Sequence, residues 1–248
     1  MNLDDYLSEP LQMEAELDSY FNTKQNLTIF EIGACEGEDT IKLRRRFPNA
    51  EIYAFEPLPK NIQRMKRNYK KYRAPGINAH QEALSDRDGK AKFYVSSGHP
   101  ADLPRTASWD YGNKSSSLLE PKEHLKIHKW LSFKEKIDVK TRRLDSFCRE
   151  KGIKKIDFIY LDVQGAELKV LEGAGRMLRK IGLIWMEVEK VELYANQPLK
   201  NEVEQYMKSH GFKLIKSTVD NIAGDQLYIN SRLRRWRLIN NLRFRLFL

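Results

Sequence analysis

Short hydrophobic runs alternate with segments of helical spacing along most of the chain. Strands are predicted at 28–32, 51–55, 156–161 and 183–188, and the unbroken apolar run at 156–161 is of the kind buried on both faces of a parallel sheet. Helices are predicted at 39–47, 59–72, 144–151, 166–179 and 201–210. Because strand and helix follow each other repeatedly, the pattern predicts an α/β fold with a doubly wound, mostly parallel sheet.

Weaker strand signals complete the predicted sheet. They lie at 77–84, 91–95, 137–141, 212–216 and 226–229. The last two signals follow each other directly, which favours an antiparallel pair at the edge of the sheet. Before the first strand, an acidic segment over 3–24 carries leucines among its apolar positions and predicts a helical lead-in.

This pattern indicates one domain with a lead-in and a tail. The domain spans 27–230, the lead-in 1–26 and the tail 231–248. Within the domain, the prolines and the serine cluster of 96–133 interrupt the alternation of strands and helices. Long irregular segments in compact domains are commonly lids or binding segments, so we expect 96–133 to face the substrate.

Charge is distributed unevenly along the chain. The formal net charge is +10, with −9 over residues 1–40, +13 over 41–231 and +6 over 232–248. A basic middle suits nucleic acid, anionic lipid or a phosphorylated substrate, or it is a set of solvated lysine faces. The amino end lacks an apolar signal region and the chain has only two cysteines, so we expect a cytoplasmic protein without a disulfide framework.

The arginine-rich tail has a helical stripe of apolar residues. The stripe consists of Leu233, Trp236, Ile239, Leu242 and Leu246, with arginines on its flanks. A basic amphipathic helix of this composition binds flat on an anionic membrane surface. The alternative is that the stripe packs on the protein's own body or on a second subunit. Membrane contact through 232–248 and an oligomer both stay open.

A glycine loop follows the first predicted strand and is the main candidate for chemistry. It reads Glu-Ile-Gly-Ala-Cys-Glu-Gly from Glu31 to Gly37, and the second strand ends in the acid Glu56. This is the layout of a nucleoside-cofactor site, where glycines let the backbone approach the ligand and the acid accepts hydrogen bonds from ribose hydroxyls. Four acids between Glu31 and Asp39 repel a pyrophosphate but suit a cation. The loop therefore favours S-adenosylmethionine, which carries sulfonium and ammonium charges.

Two further acids lie at predicted strand ends. Glu82 is near the end of the third strand, and Asp162 follows the strand at 156–161. Ligands in doubly wound sheets bind outside the carboxyl ends of the strands, so these acids are expected at the same site as Glu56. Each carboxylate alone could instead cap a helix or hold a lysine, and for Glu82 this structural interpretation is favoured.

Several blocks together resemble the FkbM-type methyltransferases. They are Glu31-Ile32-Gly33 with Gly37, Phe55-Glu56-Pro57, Glu82-Ala83-Leu84-Ser85-Asp86, Leu144-Asp145-Ser146-Phe147, and 156–167 leading to Val170-Leu171-Glu172-Gly173-Ala174. The resemblance covers about residues 27–216 and is most specific in the last block. It implies a Rossmann-like, class I, S-adenosylmethionine-dependent O-methyltransferase that acts on hydroxyls of sugars, glycans, glycolipids or natural products.

The resemblance also implies roles for individual residues. Glu31, Gly33 and Gly37 would line the methionine end of the cofactor, Glu56 the ribose and Glu82 the adenine side. Asp162 would lie near the transferring methyl group. The family often has Asp-x-Glu-Gly where this chain has Gln at position 164, so a role that needs a second charge there is in question.

Methyl transfer to an alcohol needs a base for the hydroxyl proton, and three carboxylates are candidates. We rank Asp162 first on position, ahead of Glu167 and Glu187 near the ends of the fourth and fifth predicted core strands. Substrate contacts are predicted for His99 and Ser116 in the insertion and for Gln164.

A pair of histidines is a candidate for metal binding. His124 and His128 stand four residues apart, the spacing of two ligands on one helix face, but no third ligand follows. A solvated helix is the favoured interpretation, and no metal is predicted.

Two other functions stay open. The first is RNA ribose methylation, which would need lysines around Asp162 and has Lys190 as a candidate, although no RNA-binding motif is evident. The second is a membrane or nucleic-acid binding protein that keeps the fold without catalysis. The intact glycine loop and Glu56 argue against the second alternative. The partner expected is a small molecule or glycan, without nucleic acid.

Overall fold

The structure, a computed structural model, describes residues 2–101, 103 and 110–232. Its strands are β1 Thr28–Ile32, β2 Glu51–Phe55, β3 Ile77–His80, β4 Ala83–Leu84, β5 Gly89–Gly98, β6 Leu131–Arg142, β7 Ile156–Leu161, β8 Ile181–Glu189, β9 Phe212–Ser217 and β10 Ala223–Asn230. Its α-helices are α1 Leu3–Ser8, α2 Glu14–Tyr20, α3 Glu38–Arg46, α4 Pro59–Lys71, α5 His124–Ile127, α6 Leu144–Lys151, α7 Glu167–Ala174 and α8 Lys200–Ser209. Short 3-10 helices cover Tyr111–Ser115 and Gly175–Lys180.

Seven strands form the main sheet in the order β3-β2-β1-β7-β8-β10-β9. The pairs from β3 to β8 are parallel, whereas β10 is antiparallel to both β8 and β9. The predicted doubly wound, mostly parallel sheet with an antiparallel edge is therefore confirmed. Strand order reverses between β1 and β7, where Ile32 pairs with Leu161, and this reversal opens a crevice at the carboxyl ends.

Helices cover both faces of the main sheet. On one face, residues of α6, α7 and α8 pack against side chains such as Phe30 and Ile159. On the other face, residues of α2 and α3 pack against Ile29, Phe158 and Trp185. Successive residues of β1 and β7 thus enter opposite layers, as expected for strands buried on both faces.

A second sheet replaces part of the single sheet that the sequence predicts. The predicted strand at 77–84 is divided, because β3 ends at His80 in the main sheet and β4 joins a separate three-stranded sheet of order β4-β6-β5. In that sheet β5 and β6 form an antiparallel ribbon longer than the predicted strands at 91–95 and 137–141. The irregular insertion is correspondingly shorter than 96–133.

Two helical predictions also need correction. The lead-in is two short helices, α1 and α2, because Pro10 follows α1 and lacks the backbone N–H of a helix interior. The helix predicted at 166–179 is α-helical only to Ala174 and continues as the 3-10 turn. Gly175, with φ of +49°, marks the change.

The predicted amphipathic tail and part of the insertion lie outside the described residues. These parts are residues 233–248, 102 and 104–109. Membrane contact by the tail therefore stays a prediction. Among the described residues, none of the helices has the length and apolar character that a bilayer crossing requires.

Candidate active site

A cavity lies at the carboxyl ends of β1, β2 and β7, where the strand order reverses. The strand ends, the loops after them, helix α1 and the insertion all contribute to its walls. Its polar lining includes Tyr6, Glu31, Glu38, Asp39, Glu56, Asn61, Glu82, Asn113, Lys114, Ser116, Tyr160, Asp162 and Gln164. Of the sequence-predicted residues, Glu31, Gly33, Glu56, Glu82, Asp162, Ser116 and Gln164 are brought together here.

Gly33 connects the ends of three strands. Its N–H donates to the Phe55 carbonyl at 3.0 Å, while the N–H of Asp162 donates to the Ile32 carbonyl, also at 3.0 Å. A Cβ atom on Gly33 would lie 1.7 Å from the carbonyl oxygen of Asp162, and its φ is +89°. Only glycine fits both the close approach and the left-handed backbone. The tight turn keeps the loop after β1 against the loop after β7.

Gly37 has a packing position instead of the predicted place in the cavity lining. Its φ is +80°, and an added Cβ would meet Tyr69 at 2.5 Å and Met65 at 2.8 Å. Both neighbours belong to α4, and Gly37 caps the start of α3. The second glycine of the loop therefore lets α3 approach α4 closely.

Glu56 is held in place by the backbone of two loops. One carboxylate oxygen accepts from the N–H of Leu58 at 2.7 Å, and the other accepts from the N–H of Cys35 at 3.1 Å. The side chain is buried, and burial raises the pKa of Glu56 to about 8. Its carboxylate has remaining lone pairs at the cavity wall, where ribose hydroxyls can donate to them.

Glu82 lines the cavity and also forms two ion pairs. Its carboxylate lies 2.7 Å from the Lys140 ammonium and 3.6 Å from the Arg142 guanidinium, both on β6. Glu82 therefore holds a lysine, as the structural interpretation of this residue expects. It also lines the cavity, as its predicted adenine-side position requires. Glu82 ties the segment between β3 and β4 to the second sheet.

Acids dominate the charge of the cavity. Glu31 and Glu38 are buried, and Asp39 lines the same region. Burial raises the pKa of Glu31 well above its usual value, although the Thr40 hydroxyl donates to it, and burial raises the pKa of Asp39 to about 6. Removing these carboxylates from water is costly, so the site gains from a cationic ligand.

Sequence reasoning missed the cation of the site. Lys114 is the only lysine or arginine in the described lining, and it forms an ion pair with Glu38. It lies in the insertion, where no periodic pattern marks it. Burial acts to lower the pKa of Lys114, but the Glu38 carboxylate and the other acidic groups nearby outweigh it and raise that pKa. Lys190, the lysine expected near Asp162, instead binds the carbonyl oxygen of Asp220.

Asp162 ends β7 and faces the cavity. Burial raises its pKa, while the Gln164 amide and the Lys114 charge act in the opposite direction. The net result is a raised pKa for the Asp162 carboxylate. The position of Asp162 is fixed by its backbone N–H, which donates to Ile32 of β1. Those are the properties of a general base.

Gln164 lies between two carboxylates. Its side-chain nitrogen donates to Asp162 at 2.7 Å and to Glu187 at 2.6 Å, and its side-chain oxygen accepts from the Tyr194 hydroxyl at 3.0 Å. A glutamate here would bring a third negative charge and no N–H donor. Where the family often has a charged glutamate, this chain therefore has an amide that bridges Asp162 and Glu187.

Glu187 and Glu167 do not lie in the cavity lining, which corrects the expectation that either faces the acceptor. Glu187 hydrogen bonds with the Asp162 carboxylate and accepts from the Gln164 amide. Glu167 accepts from the backbone N–H groups of Val163 at 3.0 Å and Gly165 at 3.3 Å. Its carboxylate fixes the loop that carries Gln164, and burial raises its pKa to about 8.

The insertion supplies Ser116 to the cavity but not His99. The Ser116 hydroxyl accepts from the backbone N–H of Ser96 at 3.0 Å. His99 instead contacts the carbonyl oxygen of Pro100 at 2.7 Å and the ring of Tyr111. A contact between His99 and a substrate is therefore unsupported by its placement.

The histidine pair at the insertion is packed against aromatic rings. His124 is buried beside Tyr194, with 5.1 Å between ring centroids, and His128 lies at 5.0 Å on its other side. Burial lowers the pKa of His124 to about 4. Among the described residues, His, Cys, Asp and Glu form no group of three or more with the arrangement of a metal site.

Known proteins resemble this chain over most of its length. A family profile described as the methyltransferase FkbM domain matches residues 31–214. The 2-O-methyltransferase NoeI of Sinorhizobium fredii is 33% identical over 210 residues, which are 85% of this chain and 82% of NoeI. The 31-O-demethyl-FK506 methyltransferase FkbM of Streptomyces tacrolimicus is 24% identical over 214 residues, 81% of this chain and 78% of that protein.

Solved structures show a more distant likeness. The ribosomal protein L11 methylase of Lactobacillus delbrueckii subsp. bulgaricus is 9% identical, with a TM-score of 0.47, over 87% of this chain and 75% of that chain.

Proposed function

The chain belongs to the FkbM methyltransferase family, and from this membership we propose that it methylates a hydroxyl group of a sugar, glycan or glycolipid. It is an S-adenosylmethionine-dependent methyltransferase. Oxygen is the acceptor atom in the names of the two relatives, one a 2-O-methyltransferase and the other acting on a 31-O-demethyl compound. The observation that carries the proposal is Asp162, a fixed carboxylate at the cavity wall that can take a hydroxyl proton.

The residues present fit S-adenosylmethionine. Glu56 is buried at the end of β2 with lone pairs for ribose hydroxyls, and Asn61 stands beside it in the lining. Ala83, Leu84 and Phe93 supply apolar wall near Glu82, as a purine needs. Glu31 and Asp39 supply negative charge for the cationic end.

Asp162 acts as the general base in the proposed reaction. When bound, S-adenosylmethionine supplies an electrophilic methyl group, which the acceptor oxygen takes as the carbon–sulfur bond breaks. The hydroxyl proton passes to the Asp162 carboxylate and from there to solvent. Gln164 holds Asp162 by a bond of 2.7 Å, and fixed positions of this kind reduce the entropy lost in reaching the transition state.

A sugar acceptor agrees with the polar wall beside Asp162. Ser116, Asn113 and Gln164 lie in the same lining, and their side-chain oxygens can accept hydrogen bonds from further hydroxyl groups. Hydrogen-bonding walls of this type discriminate strongly for substrates that carry the matching hydroxyls.

The proposal is tested by transfer of a labelled methyl group. Purified protein is incubated with trideuteromethyl-labelled S-adenosylmethionine and, separately, with glycan, glycolipid and RNA fractions. Mass spectrometry should find one labelled methyl group on a hydroxyl in the glycan or glycolipid fraction. The labelling measured with Asp162→Asn protein is the background to which this result is compared. Label confined to RNA would favour ribose methylation instead, and label in none of the three fractions would contradict the sugar proposal.

Cofactor binding is expected to depend on the ionisation of Glu56. The ionised carboxylate accepts ribose hydrogen bonds, whereas the free protein holds a proton there below about pH 8. Binding must then expel the proton, so the Kd of S-adenosylhomocysteine should fall by roughly tenfold or more between pH 6 and pH 8. Isothermal titration calorimetry in buffers of different ionisation enthalpy measures both the Kd and the proton release.

Glu56→Gln removes the ionisable group and keeps the shape. We expect binding at pH 8 to weaken by about 10- to 30-fold, since a charged hydrogen bond contributes more than a neutral one. The pH dependence should largely disappear. Glu82→Gln is the control for the pH dependence alone: Glu82 lines the same cavity but pairs with Lys140, so this variant should keep the pH slope of the unmodified protein whatever its Kd. An unchanged pH slope in Glu56→Gln would show that another group controls binding.

A further inference from the structure

Helix α1 contributes to the cavity although it precedes the matched family domain. The family match begins at residue 31, whereas α1 spans Leu3–Ser8. One residue of this helix, Tyr6, belongs to the lining together with Glu31, Glu38 and Asp39. The wall at this end of the cavity is therefore completed by a segment outside the methyltransferase domain.

Apolar contacts and hydrogen bonds dock α1 on the domain. Leu3 and Leu7 are buried against Ile41 of α3 and Ala74 after α4. The guanidinium of Arg45 donates to the Leu7 carbonyl at 3.1 Å. A capping box at Asn2 and Asp5 closes the start of the helix.

Docking of α1 fixes Tyr6 over two charged residues of α3. The Tyr6 hydroxyl lies 2.7 Å and 2.9 Å from the two carboxylate oxygens of Asp39, to which it donates. The Lys42 ammonium stands 3.6 Å from the centroid of the Tyr6 ring. The ring and hydroxyl are thus held from both sides, and Asp39 receives a donor that helps to keep it ionised.

Tyr6 lies among cavity acids that are distinct from the ribose-binding carboxylate. The charged groups around Tyr6 are Lys42, Asp39, Glu38 and Glu31, whereas the Glu56 carboxylate contacts the loop N–H groups of Cys35 and Leu58. An S-adenosyl ligand whose ribose reaches Glu56 directs its charged amino-acid part toward the acids around Tyr6. Tyr6 and Asp39 form part of the wall there.

We propose that Tyr6 is a cofactor-binding residue which, with Asp39, closes the cavity around the amino-acid end of S-adenosylmethionine, so that docking of α1 and cofactor binding stabilise each other. The proposal rests on the methyltransferase function of this same cavity. Coupling between two binding events is reciprocal. A cofactor that contacts Tyr6 therefore favours docking of α1, and undocking of α1 lowers the affinity for the cofactor by the same factor.

Tyr6→Phe tests the contact with the least change in structure. The ring and its packing stay, while Asp39 loses its hydroxyl donor. We expect the Kd of S-adenosylhomocysteine, measured by calorimetry, to rise about tenfold, because the hydroxyl oxygen can no longer accept from the ammonium group of the ligand; tenfold is the size of one hydrogen bond to a charged group. Tyr53→Phe is the matched control, because the Tyr53 hydroxyl donates to the Glu51 carboxylate at 2.6 Å outside the cavity lining. Its Kd should stay within about twofold of the unmodified protein.

Leu7→Ala and hydrogen exchange test the coupling. Leu7 is a buried residue of α1 that does not line the cavity, so its truncation should weaken cofactor binding only by loosening the helix. S-adenosylhomocysteine should slow hydrogen exchange of the amides in 3–8 in the full chain. Unchanged Kd values in Tyr6→Phe and Leu7→Ala, or exchange unaffected by ligand, would overturn the proposal while leaving the methyltransferase function intact. A full-length protein that does not bind the ligand would overturn both.

Discussion

Asp162→Asn is expected to lower kcat by about 100- to 10,000-fold, the usual contribution of a general base. Asparagine has nearly the same shape and can still hydrogen bond with Gln164, but it cannot take the hydroxyl proton. The loop after β7 should keep its position, because its backbone bond to Ile32 does not involve the side chain. The loss is measured as release of S-adenosylhomocysteine with an acceptor found in the labelling experiment.

Cofactor binding separates a lost base from a damaged site. S-adenosylhomocysteine should bind Asp162→Asn with a Kd within about threefold of the unmodified protein, since a neutral isostere retains most contacts. Asp157→Asn is the matched control. Asp157 belongs to the same strand, β7, but lies outside the lining, where its carboxylate accepts from the N–H of Thr28 at 2.9 Å, so turnover should change little. Normal turnover by Asp162→Asn would remove Asp162 from the base role and return the question to Glu31 or Asp39.

The carboxylates wrongly expected to face the cleft show why strand ends alone do not identify a base. Position in the sequence brings Asp162, Glu167 and Glu187 to the same sheet edge, and all three do lie there. Their side-chain contacts then divide them, because Asp162 lines the cavity, Glu187 lies outside the lining with hydrogen bonds to Asp162 and Gln164, and Glu167 turns back to the backbone of its own loop. That division depends on the loop conformation of Gln164, whose φ is +57°. A positive φ at a residue other than glycine gives no pattern in the sequence.

The main sheet was predictable because each strand satisfies a local rule. Strands such as β1 and β7 are apolar on both faces, and Gly33 and Glu56 follow strands directly, so spacing identifies them. The second sheet was not predictable in the same way. Alternation predicts a strand at 91–95, but it does not specify whether the strand joins the main sheet or pairs with β6.

The residues missed at the site have a common cause. Lys114 lies in the insertion and Tyr6 in the lead-in, and tertiary packing alone brings them to the cavity. The excess of acids near the glycine loop was the available signal, since buried carboxylates need donors or cations. This excess of acids predicts that hydrogen-bond donors or cations lie beside the carboxylates, but it does not specify which tyrosine or lysine they belong to.

Gly33→Ala is expected to destabilise the protein by about 4 kcal/mol or more, because the change forces two backbone segments apart. Losses of this size are among the largest that single substitutions cause. The added Cβ would stand 1.7 Å from the Asp162 carbonyl oxygen. No rotamer relieves a clash with backbone, so the ends of β1 and β7 must separate. The bond between Asp162 and Ile32 and the bond between Gly33 and Phe55 are then weakened together.

Gly211→Ala separates the steric effect from the conformational cost. Gly211 has φ of +85°, close to the +89° of Gly33, but an added Cβ meets nothing within 4 Å. It should therefore show only the left-handed backbone penalty of about 1–2 kcal/mol. For a chain of this size, thermal unfolding should place Tm about 8–16 °C below the unmodified protein for Gly33→Ala and about 2–8 °C below it for Gly211→Ala. Equal shifts in the two variants would mean that the loops after β1 and β7 can part at little cost, and the close contact that places Asp162 beside the glycine loop would then not be a rigid feature of the site.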